Sequence, residues 1–197
     1  MKLKLLRALA WVALKGRLYY AWSRMYRWLW QRRYKDVVIP SYTTLDGIAS
    51  VVARMRWRAD GWRELWDAIS DPRATWSYHV NDLGKEGPAN DCDDISMWAV
   101  DRIQQAVDAG ALNEVDEVGM LSVPWLDDGE AGGHNVCVVC MFDGWRHMSN
   151  WHNGKLIGPF DDLQDVTRDV LAGRKSLGWA YCSSKLKLRR YGRGGNL

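Results

Sequence analysis

A chain of 197 residues that is 47% hydrophobic and 26% charged can bury a sizeable core, which excludes a disordered protein. Its four cysteines are too few, in a chain this long, for a disulfide framework. The formal charge of +3 conceals two basic ends on an acidic middle. Residues 1–36 carry ten Lys/Arg against the single acid Asp36, and residues 183–197 carry Lys185, Lys187, Arg189, Arg190 and Arg193 with no acid.

The chain therefore divides by composition into a basic helical extension over 1–36, an acidic body over 37–182 and a basic tail over 183–197. In the extension, Trp11, Leu14, Leu18, Trp22, Met25 and Leu29 recur at three- and four-residue steps, which predicts one long amphipathic helix over 2–34, or two broken near Gly16. Basic arms on an acidic body point to an anionic partner, whether membrane surface, nucleic acid or acidic protein, or to arms that pack on the body itself. Arg7 interrupts the only apolar stretch that resembles a signal peptide, and no window reaches the ~18–20 apolar residues of a membrane span. A cytoplasmic or particle-associated protein is the expectation.

After an extended segment at Val37–Pro40, Thr43 or Thr44 can cap a helix running to about Trp57. A short helix over Trp62–Ser70 ends at Asp71-Pro72, and residues 73–90 read as irregular, with Gly84 and Gly87-Pro88 as breakers. Asp91 caps a helix from Cys92 to about Ala109, closed by Gly110. Strand-like runs follow at Glu117–Val123, Asn135–Phe142, Trp145–Trp151 and Leu177–Cys182, with a short helix at Asp161–Ala172. Asp143-Gly144 is a hairpin signal that would set Phe142 opposite Trp145 and His134 opposite residue 153. Helices first and an antiparallel sheet after predict an α+β fold.

The chemistry centres on Cys92. A thiol at a helix N-terminus feels the positive end of the helix dipole, which favours the thiolate. His134, opening an apolar strand after Gly132-Gly133, supplies a base, and Asn150 on the next strand supplies an orienting group. Asn153, His152 and Asp161 are alternatives for that third place. Asp91, Asp93 and Asp94 would repel a thiolate, so their carboxylates must point away from the sulfur or be paired elsewhere. They offer a cation site only weakly, because Asp93 and Asp94 diverge by roughly 100° around a helix. No metal and no cofactor is expected. The backbone N–H of Cys92, Trp76 and Asn90 are candidate oxyanion donors. Cys137-Val-Val-Cys140 lies in a strand-like run, where positions three apart face opposite sides, so it reads as packing rather than as a metal or disulfide motif.

The run Asn90-Asp-Cys-Asp-Asp-Ile-Ser96 resembles the Gly-Asp-Cys-(Asp/Glu)-Asp-(Tyr/Phe)-Ala signature of transglutaminase-like cysteine peptidases, a bacterial and phage branch of the papain-like superfamily. The order of Cys, then His on a strand, then Asn on the next strand is similar as well, over about residues 40–182. The sequence departs from the signature at Asn90, at Ile95-Ser96, and at Asn150 in place of the commoner Asp. The resemblance implies a papain-like core, with Cys92, His134 and Asn150 performing amide hydrolysis or acyl transfer through a thioester on a peptide or protein substrate. A catalytically inactive relative, kept as a structural or assembly protein such as a virion component and anchored by its basic arms, is the alternative reading.

Overall fold

The computed structural model describes residues 18–29, 31–57, 69–81, 90–127 and 130–193. Among these the fold is α+β: helices gather against a single six-stranded antiparallel sheet. The helices are α1 (the described part of which spans 18–29), α2 (Leu45–Val52), α3 (Pro72–Asn81), α4 (Cys92–Asp108) and α5 (Leu163–Leu171). The strands are β1 (Val115–Asp127), β2 (Glu130–Met141), β3 (Gly144–Met148), β4 (Leu156–Phe160), β5 (Gly178–Cys182) and β6 (Leu188–Arg193), in the order β4-β3-β2-β1-β5-β6. The segment expected as a basic tail thus supplies an edge strand, β6, paired to β5. The expected helix over Trp62–Ser70 and the first half of the N-terminal helix lie largely or wholly outside the described residues.

Local chemistry accounts for the helix starts. The Thr44 hydroxyl accepts from the Gly47 N–H and caps α2, which stops at Val52, short of the expected Trp57. The Asp91 carboxylate accepts from the N–H groups of Asp93 and Asp94, and Gly110 closes α4 at φ +72°. Asp162 caps α5 in the same way. Residues 73–81, expected to be irregular, are instead helical. Asp71-Pro72 is a start rather than a stop, since the Asp71 side chain takes the Arg73 N–H (2.9 Å) and Pro72 sits where no N–H is needed.

The sheet divides the core in two. On one face α4 packs against β1 and β2, with Ile95, Trp98, Val100 and Ile103 meeting Val118, Met120, Cys137 and Val139. On the other, α5 covers Leu121, Val123, Val136 and Val138 through Leu163, Val166 and Val170. Cys137 belongs to the first layer and Cys140 borders the second, as strand alternation requires, and none of Cys92, Cys137, Cys140 and Cys182 is in a disulfide.

The α1 stripe faces the other way from that of a packing helix. Tyr20 and Ser23 are buried, their hydroxyls bonded to Ser122 Oγ (3.0 Å) and the Ile69 N–H (3.1 Å), and Arg27 donates to the Ile69 carbonyl (3.2 Å). Leu18, Met25, Trp28 and Leu29 lie 46–65% exposed. At 100° per residue, Leu18, Met25 and Leu29 fall about half a turn from Tyr20, Ser23 and Arg27.

Candidate functional site

Cys92 begins α4 at the edge of β2. The strand pairing of β3 with β2 ends at Met148↔Cys137, so the backbone of β2 beyond that point is uncovered. The first turn of α4 fills this gap: Ser96 Oγ donates to the Asn135 carbonyl (2.8 Å), and the Asn135 side-chain amide approaches Cys92 Sγ at 3.7 Å. Sequence reasoning missed Asn135. Its signal was parity, since Asn135 shares a strand face with Cys137 and Val139, which look toward α4.

His134, one residue earlier, turns its ring to the α5 face with Val123 and Val136. It is 2% exposed and stacks flat on Trp151, with centroids 3.6 Å apart and planes within 6°. The expected register placed His134 opposite residue 153. The hairpin instead pairs Met141 with Gly144 and Cys140 with Trp145, a shift of two that carries His134 to Trp151. Its Nε2 is buried and makes no hydrogen bond, and Asn150 Oδ1, at the start of the 3-10 turn Asn150–His152, is likewise buried and unbonded. Thus the structure sets Asn135 against the thiol, whereas His134, on the opposite face of the sheet, stacks on Trp151 with its Nε2 unbonded, and the Asn150 side chain makes no hydrogen bond to it.

Burial, with smaller contributions from His147 and His152, lowers the His134 pKa to about 3, so the ring is neutral at ordinary pH. His147 is also lowered by burial, opposed by its hydrogen bond to Asp169. The other thiols are unsuited to attack: burial pushes Cys137 well up and Cys182 up to about 12.

The acids beside Cys92 each accept a hydrogen bond, and rather than diverging around the helix the carboxylates of Asp91, Asp93 and Asp94 come within 4.8 Å of one another. Asp91 is the helix cap. Asp93 accepts from the Tyr19 hydroxyl, and its carboxyl pKa is raised by burial. Asp94 accepts from the Ser70 N–H at 2.6 Å. Of the oxyanion candidates, Asn90 spends its amide on the Thr75 carbonyl (3.2 Å) and Trp76 stacks on Trp98 (5.7 Å), so both serve the packing of α3 on α4.

Of the alternative third members, Asn153 is the left-handed residue that ends the 3-10 turn (φ 52°), and Asp161 lies in the exposed bend before α5. Gly132 leaves room for Trp125, whose indole would lie 2.7 Å from a Cβ there. Trp125 in turn approaches Trp151 (6.0 Å), and Arg174 lies over Trp125 at 5.1 Å. Together they roof the His134 side of the site.

Comparison with protein-family models and with curated proteins returns no match.

Proposed function

We propose that the chain is a papain-like, transglutaminase-type cysteine hydrolase or acyltransferase that acts on an amide bond through a thioester on Cys92. The observation that carries this reading is the docking of the α4 N-terminus against β2, which sets the Cys92 thiol beside the Asn135 amide, one residue along the strand from His134. His134 is the base that takes the thiol proton and returns it to the leaving amine. Asn150 is its orienter, because its Oδ1, like His134 Nε2, is buried without a hydrogen-bond partner.

The test is alkylation of each cysteine by iodoacetamide across pH, read by mass spectrometry. Cys92 labelling that is fast below pH 8 and at least tenfold slower in His134→Ala supports the reading. Slow labelling, insensitive to His134, supports the alternative, an inactive fold serving as an assembly or virion protein. The closed stack of His134 on Trp151 is the observation that favours that alternative.

The basic ends belong to the same proposal as an anchor. The exposed face of Leu18, Met25, Trp28 and Leu29, in a segment rich in Lys and Arg, suits an anionic lipid surface, where Trp and Leu enter the interface and cations meet headgroups. Sedimentation with phosphatidylserine vesicles at low salt checks this. Binding should exceed that to neutral vesicles and fall at least fivefold in Leu18→Ser/Leu29→Ser. Equal binding to both vesicle types sinks the anchor, and binding unchanged by the substitutions moves it elsewhere.

A further inference from the structure

A second cluster of reactive groups lies on the α5 face of the sheet, apart from Cys92. His147 comes from β3, His152 from the 3-10 turn after it, and Asp169 from α5. One ligand atom from each, an imidazole nitrogen or a carboxylate oxygen, lies within 4.8 Å of the others. His147 Nε2 is 2.7 Å from Asp169 Oδ2, and the two imidazole rings are 5.6 Å apart, centroid to centroid.

A structural His–Asp hydrogen bond is the simplest use of such a pair, but two observations exceed it. A third donor of the same class, His152, has no structural need to be there, since the residue is exposed. The group also combines a fixed member with two adjustable ones: His147 is held in the core at 0% exposure, while Asp169 is 37% exposed and His152 lies at the surface.

The position of His152 is nevertheless well defined. The 3-10 turn closes through Asn153 in the left-handed region and Gly154 at φ +71°, where a Cβ would stand 2.1 Å from the Ala49 carbonyl. The turn is therefore seated on α2 with no space for a side chain at Gly154.

We propose that His147, His152 and Asp169 bind a single divalent transition-metal ion of the zinc type. Two imidazoles and one carboxylate are a donor set that zinc, cobalt and nickel accept, while magnesium and calcium prefer all-oxygen sets. Zinc ligands stand about 2.0–2.2 Å from the ion, so tetrahedral neighbours are separated by roughly 3.3–3.5 Å. The His147–Asp169 pair opens by less than about 1 Å to meet this, and the solvent-exposed members leave a fourth position for water.

The experiment uses the full chain as Cys92→Ser, so that the thiol contributes nothing and the result is independent of the reading of Cys92. Cobalt(II) is titrated in and followed by its visible absorption, with competition by zinc. One equivalent is expected to bind with the intensity of a tetrahedral site, to be displaced by zinc and to resist excess magnesium. His152→Ala and Asp169→Asn, both at the surface and checked for folding by circular dichroism, should each weaken binding at least tenfold. Absence of stoichiometric binding, or binding that both variants leave unchanged, overturns the proposal.

Discussion

Asn135 donates a neutral N–H to a sulfur at 3.7 Å, which favours negative charge on that sulfur by a modest amount. Asn135→Ala should slow Cys92 alkylation a few-fold, and Asn135→Asp should slow it further by placing a carboxylate against a developing thiolate. Equal rates in all three proteins would show that the contact does not act on the thiol. His134 yields a second prediction, about stability. Its pKa in the folded state, about 3, lies below the ordinary value of 6.5, so between those limits the unfolded chain binds a proton that the native chain does not. Stability is therefore unaffected above pH 6.5 and falls as pH drops toward 3, by up to about 1.4 kcal/mol per pH unit. Urea midpoints at pH 7 and pH 5 should separate more in the wild type than in His134→Gln. The same separation in both would assign the acid sensitivity to other groups.

At the scale of elements, α4 is the part on which the site depends. Its 17 residues place Trp98, Ile95 and Ile103 in the core at 0% exposure, and its first turn carries Cys92. Asp91→Ala removes an acceptor from two N–H groups and should cost about 1 kcal/mol, read as a lower urea midpoint with an unchanged slope. No change would mean that the Asp93 carboxylate, already 2.9 Å from the Asp94 N–H, takes over the cap. A residue at the far side of the site is equally constrained. Gly154→Ala meets both a positive φ and the Ala49 carbonyl, so it should destabilise by more than the roughly 1 kcal/mol of backbone strain alone and displace the 3-10 turn from α2. A neutral outcome would mean the turn can separate from the helix.

For the molecule as a whole, part of the basic charge at the two ends is used internally. Arg24 donates to the Leu186 carbonyl (2.6 Å), and Arg190 on β6 pairs with Glu117 on β1 (2.7 Å). The acidic body and the basic ends are thus partly complementary within one chain. Deleting residues 1–36 would strip Tyr20 and Ser23 from the core as well as the exposed stripe. Such a deletion should lower the midpoint of thermal unfolding by several degrees, whereas Leu18→Ser/Leu29→Ser should leave it nearly unchanged. Among the described residues, no helix is long and apolar enough to cross a membrane.

Local chemistry alone made much of this legible. The caps at Thr44 and Asp91, the closing Gly110 and the apolar face of α4 are short-range signals, and each stands where its hydrogen bonds require. The α+β order and the packing role of Cys137 and Cys140 followed from period and alternation. Long-range pairing was not legible. The register of β2 against β3 depends on where one hairpin turn begins, and a shift of two moved His134 from residue 153 to Trp151. Residues 188–193 carry charge enough to suggest a tail, yet the open edge of β5 gives their backbone groups partners. The α1 stripe fits a packing face by periodicity, but Tyr20 and Ser23 have hydrogen-bond partners in the body, and the helix turned toward them. Sequence determined which residues can cap, alternate and carry charge, because those properties act over a few residues. Tertiary structure decided which of them meet, because contacts such as Asn135 with Cys92, or His147 with Asp169, join distant parts of the chain through a sheet whose register no local signal sets.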